Sequence, residues 1–571
     1  MRGEDTPVPA KASDAHPLET LALRLLAGLA VAAALLWLTG ELSGRILRGT
    51  WPSVDASEAA KIVLRYPHHL GDPAQAWPEP ARELVPGPVA FYATLATLLL
   101  PALAAAAWFS TRGTNRGEAA DNARWARSGD LRLLRGGRSV HLTLGRVNGR
   151  LVYAEPRQSA IVIGPTQTGK TTGFAIPAIL EWPGPVLATS VKTDLLRETL
   201  TARSSIPDAE TWVYDPTRST GLEETAGWTP LMGCLTWQGA QRVADWLVRT
   251  ARRSGSGVEG DAFWYAAAEK ILAPILLAAA CSGGSMVQVI AWLDTQEKER
   301  VTTALEVNGF DEAAIGFDAI SLWDERTRGS VYATAQTVLL AYTDPEVLAS
   351  ALRSDLQAKH LLDGKRNTAY LCAPAHEQRR LQPLFATLVQ EIVAHAYERA
   401  TATGGPLDPP LLLVLDECAN IAPLRELATL ASTGAGQGIQ LVTVFQDMAQ
   451  INAVYGADRA PTIVSNHRAK VILSGISDTP TLRYVAQLLG DREVRRVATT
   501  VDADGRRSTT ESITYRDLAP ENLLREMRPG HGVLIYGHLP PARITLRPWF
   551  KDRRLRRLAR HGGFRTEAAV S

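Results

Sequence analysis

Residues 164–171 read Gly-Pro-Thr-Gln-Thr-Gly-Lys-Thr and meet the pattern GxxxxGK[ST] without a mismatch. In such a loop the backbone N–H groups cradle phosphate oxygens. The lysine ammonium reaches the β- and γ-phosphates, and the last hydroxyl binds Mg²⁺. Position then assigns Gly164, Pro165, Thr166, Gln167, Thr168, Gly169, Lys170, Thr171 and Thr172 to nucleotide binding, with Lys170 on the phosphates and Thr171 on the metal. The pattern occurs by chance, so context decides. The apolar run IVIG precedes the loop and the helical run TTGFAIPAIL follows it. Strand, loop and helix in that order set the phosphates at a helix N-terminus.

Two further sites complete the chemistry. LLLVL at 411–415 is an apolar run ending in Asp416 and Glu417. Its unbroken hydrophobicity suits a strand buried on both faces. Asp416 is expected to hold the Mg²⁺ shell and Glu417 to orient and polarise the attacking water, as phosphoryl transfer to water requires. IQLVTVF at 439–445 ends in Gln446, an amide placed to touch both the γ-phosphate and that water. Together Lys170, Asp416, Glu417 and Gln446 form the expected catalytic set, with ATP and Mg²⁺ as cofactors and Thr171 and Asp416 as metal ligands.

These residues need a scaffold, and the chain supplies its pattern. Short apolar runs recur at 160–164, 186–190, 211–215, 368–373, 411–416, 439–445, 469–475 and 532–537, most of them separated by helical patterns. That alternation predicts an α/β fold with a mainly parallel, helix-covered sheet. HLTLGRVNGRLVYA at 141–154 predicts a β-hairpin turning at Asn148-Gly149. From 236 to 350 no strand run occurs, which predicts an all-α domain inserted between two strands.

Composition excludes other classes. With 46% hydrophobic and 21% charged residues the chain is no disordered tail, and a net charge of +2 excludes holding nucleic acid by bulk charge. The four cysteines are widely spaced without a CxxC pair, which argues against a disulfide framework or a cysteine zinc site. Two apolar stretches near the start, 21–39 and 89–109, are long enough to span a hydrocarbon core of about 30 Å. They predict a two-helix transmembrane anchor with an extracytoplasmic loop between. The arginines from Arg112 to Arg138 bias the bulk of the chain toward the cytoplasm.

Beyond the phosphate loop, SVKTDLL at 190–196, VYDPT at 213–217, GWTPL at 227–231, FWYAAAEKIL at 263–272, LLLVLDECANIAPL at 411–424, GIQLVTVFQDMAQINAVYG at 438–456 and SNHRAKVILSGISDTPTLRYVAQLLG at 465–490 follow in order. These pieces resemble the TraG/TraD-type coupling proteins of type IV secretion and conjugation, the DNA-transfer ATPases. The resemblance runs from about residue 120 to 550. It implies a RecA-like P-loop NTPase domain over 116–235 and 351–550, an all-α domain over 236–350 that recruits substrate, an anchor over 1–115 and a basic tail over 551–571. It further implies a homo-hexameric ring in the cytoplasmic membrane, multi-pass, feeding a DNA strand with its bound relaxase to the channel proteins of the secretion system.

Departures accompany the resemblance. Relatives usually carry a DpKgE-like string where this chain has Ser190-Val191-Lys192-Thr193-Asp194, so that Lys192 is kept but the acid before it is not, and many carry an arginine where this chain has Ala435. Arg468 and Arg425 are the candidates to replace that arginine at a neighbour's site. Alternative readings are an FtsK-like double-stranded DNA translocase, an ATPase exporting protein cargo only, and a receptor using nucleotide for assembly alone. The intact Lys170, Asp416, Glu417 and Gln446 speak against the last.

Overall fold

The computed structural model describes residues 17–113, 122–136, 141–190, 193–252, 261–501 and 507–560. In the first of these segments, side chains are described between 32 and 100. The chain divides into two units, Met1–Asp121 and Asn122–Ser571.

In the smaller unit, helices Pro17–Arg48 and Pro88–Gly113 each run past the ends of the expected spans. The segment joining them packs Val54, Ile62, Trp77 and Val85 into a small core with Phe91 of the second helix. Glu41, buried past the end of the first expected span, accepts from the backbone of Ser53 and Val54 at 3.1 and 2.8 Å. Trp77 meets Phe91 edge-on at 5.3 Å. Among the described residues one helical segment, Ala262–Cys281, is long and apolar enough to cross a membrane, and most of it is buried in the larger unit. Much of both expected spans lies outside the residues with described side chains.

The larger unit is built on a mixed sheet. β1 (Thr143–Val147) and β2 (Arg150–Tyr153) form the expected hairpin, with Asn148 and Gly149 at φ 51° and 76° in its turn. β3 (Ala160–Ile163), β4 (Val186–Ser190), β5 (Thr211–Tyr214) and β6 (Thr368–Cys372) match apolar runs of the sequence. So do β7 (Leu411–Leu415), β8 (Ile439–Phe445) and β9 (Ala469–Leu473). Then come β10 (Asp491–Val501), β11 (Arg507–Asp517), β12 (His531–Tyr536) and β13 (Ala542–Thr545). The eleven-stranded order is β2-β1-β13-β12-β9-β3-β8-β7-β4-β6-β5. Strands β3 to β9 are parallel, whereas β12, β13, β1 and β2 extend the sheet antiparallel.

The sheet separates two cores, and strand periodicity explains why its central strands are apolar throughout. Leu411, Leu413 and Leu415 point into one core, Leu412 and Val414 into the other. Between β5 and β6 every described element is helical. This helical segment shares the first core with the sheet rather than enclosing a separate one. Tyr214 at the end of β5 packs edge-on against Trp228 and Phe385, and the Trp228 indole donates to Glu391 at 3.0 Å. Burial lifts the Glu391 carboxyl to about 7. The second core is covered by helices Ile176–Glu181, Thr193–Ser204 and Arg553–Arg560. The basic tail is therefore partly structural, since Leu555 is buried there.

His467 stands just before β9 and is fully buried. Its Nδ1 lies 2.7 Å from the Ile463 carbonyl, so Nδ1 carries the proton, and Nε2 accepts from the Thr443 hydroxyl at 3.0 Å. Burial lowers its pKa to about 4. The folded protein then binds fewer protons here than the unfolded chain, whose histidine titrates near 6.5. This contribution is present above about 6.5 and is lost as pH falls toward 4. We expect the stability advantage of the wild type over His467→Gln to shrink by about 2–3 kcal/mol between pH 7 and 4.5. Urea unfolding at a series of pH values measures it, and a constant difference would show that the imidazole titrates normally.

Candidate nucleotide site

The order β3-β8-β7 at the centre of the sheet brings the three chemical segments together. Each follows the C-terminal end of its strand: the phosphate loop after β3, Asp416 and Glu417 after β7, and Gln446 after β8 between them. Ligands of open α/β sheets bind at this edge.

The loop passes into a π-helical turn over Thr171–Ala175 and then into helix Ile176–Glu181. Pro177 sits in the first turn of that helix, where a missing N–H is tolerated. Gly169 has φ +90°, a conformation that disfavours any side chain. Gly173 lies so close to Leu546 that an added Cβ would stand 2.9 Å from it. The chain leaving β13 thereby lies against the loop helix, and Arg547 N donates to Gly173 O at 3.2 Å. The buried Arg547 guanidinium donates to Glu181 at 2.9 Å and to Asp552 at 3.1 Å, fixing the far end of that helix. This brace carries no motif.

Lys170 is nearly buried, and its ammonium donates to the carbonyls of Gly164 and Pro165. The Thr171 hydroxyl donates to Asp416 Oδ2 at 2.9 Å, joining the loop to the end of β7 across 245 residues of sequence. Thr189 in β4 donates to the Asp416 carbonyl at 3.1 Å. Burial pushes the Asp416 carboxyl up to about 6. Thr171 opposes that rise, Glu417 and Asp194 add to it, and Lys170 counters it.

Glu417 adopts a left-handed backbone, φ 51°, which turns the chain sharply out of β7. Its Oε2 accepts from Asn420 Nδ2 at 3.1 Å, and Asn420 is in turn held by Gln382 through its carbonyl at 2.8 Å. Gln446 is half-buried, and its backbone N–H donates to Gln450 Oε1 at 2.8 Å. Thr166, Gln167, Thr168 and Thr172 lie in or next to the loop as expected. Asp194, within electrostatic reach of Asp416, lies in the segment SVKTDLL, to which the sequence assigns no chemical role. Its signal is an acid shortly after β4, the strand next to β7. Lys192 lies outside the described residues.

Neither substitute arginine is adjacent to this cluster. Arg468 precedes β9, at the opposite end of the parallel strands from the loop. It donates to Glu155 at 2.9 Å and lies 5.5 Å over the Tyr536 ring. Arg425 donates to the carbonyls of Arg249 and Arg252, capping the end of helix Trp237–Ala251 and tying it to the segment after β7. Ala435 lies on helix Leu427–Gln437.

Carboxylate and hydroxyl oxygens beside a lysine are a donor set suited to Mg²⁺ and phosphate oxygens, and a bound cation would offset the burial and neighbouring acids that raise the Asp416 carboxyl.

Comparison with known proteins agrees. The family model for type IV secretory system conjugative DNA transfer matches residues 103–568. VirD4 of Agrobacterium fabrum is 27% identical over 463 residues, 76% of this chain and 66% of that protein. Conjugal transfer protein TraG of Escherichia coli is 26% identical over 408 residues, 65% of this chain and 62% of that protein. The chain thus spans just under two thirds of these relatives' length. The plasmid coupling protein TrwB, solved with ADP and Mg²⁺, shares the fold at TM-score 0.56 and 19% identity, over 75% of this chain and 94% of that one. With most of its length matched by that model, the chain belongs to the type IV secretory system conjugative DNA-transfer family.

Proposed function

We propose that this protein is a membrane-anchored ATPase that drives DNA, with its bound relaxase, or protein substrate into a type IV secretion channel. The observation that carries the reading is the Thr171–Asp416 hydrogen bond, which joins the phosphate loop to the acidic end of β7. TrwB has also been solved in complex with a non-hydrolysable ATP analogue, which supports ATP as the nucleotide here.

In this reading the loop N–H groups and Lys170 bind the phosphates, and Thr171 and Asp416 hold Mg²⁺. The metal, when bound, neutralises charge on the phosphate oxygens. Asp416 must be ionised to hold it. Glu417, braced by Asn420, orients the attacking water and takes its proton. Gln446, between the two motifs, reports the nucleotide state. The anchor is the pair of apolar segments at 21–39 and 89–109, the bulk of the chain is cytoplasmic, and the assembly is a homo-hexamer. The nucleotide-binding domain comprises 116–235 and 351–550, and the segment 236–350 is its helical insertion.

Three substitutions test the site. Lys170→Ala is expected to abolish ATP turnover, and wild-type turnover would remove the phosphate-loop assignment. Glu417→Gln is expected to bind ATP with Mg²⁺ while hydrolysis falls by roughly 10²–10⁴; failure to bind nucleotide would make Glu417 a structural or metal-holding residue instead.

Asp416→Asn bears on electrostatics. A folded pKa near 6 against an unfolded value near 3.8 means that the ionised carboxylate destabilises the metal-free fold above pH 6. Asparagine keeps an acceptor for Thr171 without the charge. The metal-free variant is expected to be more stable than wild type by about 3 kcal/mol at pH 8, with the advantage vanishing toward pH 4. Chemical denaturation measures this, and a less stable variant at pH 8 would contradict the buried-charge account.

A further inference from the structure

β10 and β11 pair along their whole length, from Asp491 opposite Asp517 to Val501 opposite Arg507. The ribbon is held at its base, where Leu518 N donates to Gly490 O and Ala123 N to Asp491 O. Residues 495–499 and 509–513 are exposed, so the ribbon stands clear of the body.

Successive residues of a strand point to opposite faces, and directly paired residues share one. One face carries Arg492, Arg496 and Arg516 with Thr510, Ser512 and Thr514, the half-buried Val494 and the small Ala498, and no carboxylate among the described residues. The other carries Asp491, Glu493, Glu511 and Asp517 with Arg495, together with the exposed Val497, Ile513 and Tyr515. Over residues 491–499 and 509–517 the formal charges are +3 and −3. Arg495 lies 3.6 and 3.8 Å from Glu493 and Glu511, its neighbours on the acidic face. Each face has one like-charged pair directly opposite at its base, Asp491 with Asp517 on the acidic face and Arg492 with Arg516 on the basic one. Like charges so placed destabilise a ribbon, and an anion joining the two arginines offsets this on the basic face.

We propose that the basic face of this ribbon binds the phosphate backbone of a nucleic acid, in the proposed function the transferred DNA. Arginine guanidinium groups and serine or threonine hydroxyls are the usual partners of phosphate oxygens. From Arg492 to Arg496 the face spans about 14 Å, long enough for successive phosphates of one strand. A lipid surface fits less well. Insertion at a bilayer surface needs large exposed apolar side chains within reach of the basic ones, and the basic face offers only the half-buried Val494 and the small Ala498. Here Val497, Ile513 and Tyr515 lie on the other face among acids that anionic lipid repels.

The proposal rests on the DNA-transfer reading, and the test separates the two. Binding of a fluorescent single-stranded oligonucleotide to the full chain in detergent is measured across salt concentration. The triple variant Arg492→Gln, Arg496→Gln, Arg516→Gln is expected to bind about tenfold more weakly at 50 mM salt, with a log–log salt slope shallower by about 2. Arg495→Gln, on the acidic face, should keep the wild-type slope. The triple Arg→Lys variant should keep it too, which separates charge from misfolding. A wild-type slope in the triple glutamine variant overturns the ribbon assignment while DNA transfer stands. Absence of oligonucleotide binding by the wild type overturns both. If wild type and the glutamine variant bind the oligonucleotide alike but only the wild type gains affinity for detergent micelles when phosphatidylglycerol is mixed into them, the face is a membrane contact and the proposal falls.

Discussion

The architecture turns on a buried carboxylate. Asp416 Oδ2 accepts from Thr171 at the end of a strand whose side chains are all buried, with Glu417 and Asp194 nearby to raise the energy of its charge. Such a group is expensive unless a cation completes it. For the bond to form at all, the loop after β3 and the end of β7 must reach each other across β8, which separates them. The parallel order β3-β8-β7 provides that, and the same order places Gln446 in the gap. Cation and phosphate chemistry and sheet topology are therefore one constraint.

The rest of the larger unit holds that edge still. The helical segment between β5 and β6 packs onto one face through Tyr214, Trp228 and Phe385. On the other, the chain leaving β13 returns over the loop helix, and Arg547 joins Glu181 and Asp552. The Arg547 ion pairs are buried, so they position the helix end more than they stabilise the fold. Glu391 and His467 are further buried titratable groups whose pKa values move in opposite directions, one acid lifted and one base lowered, for the same reason of burial.

The site was legible in the sequence because its chemistry demands fixed residue types at fixed spacing: Lys170, Thr171, Asp416 and Gln446 all lie where their flanking apolar runs put them. The central strands were legible because burial on both faces leaves continuous apolar runs. What escaped is what periodicity cannot mark. β10 and β11 alternate arginine, acid and hydroxyl residues with few apolar ones, since neither face is buried. β13 is four residues long and contains Arg543, so its apolar signal is weak. Asp194 and Arg547 lie in no complete motif and gain their roles only from contacts distant in sequence. The two arginines suggested for a neighbour's site have local partners in Glu155 and in the end of helix Trp237–Ala251, and sequence spacing gave no sign of either.

Family membership and the Thr171–Asp416 site support one proposal, that nucleotide chemistry at this edge powers transfer of DNA. The most direct measurement is the mating frequency of a mobilisable plasmid from donor cells whose only copy of this protein carries Asp416→Asn, with protein level and membrane fraction matched to wild type. The account predicts transfer reduced to the level of donors lacking the protein. Transfer at the wild-type frequency would contradict it.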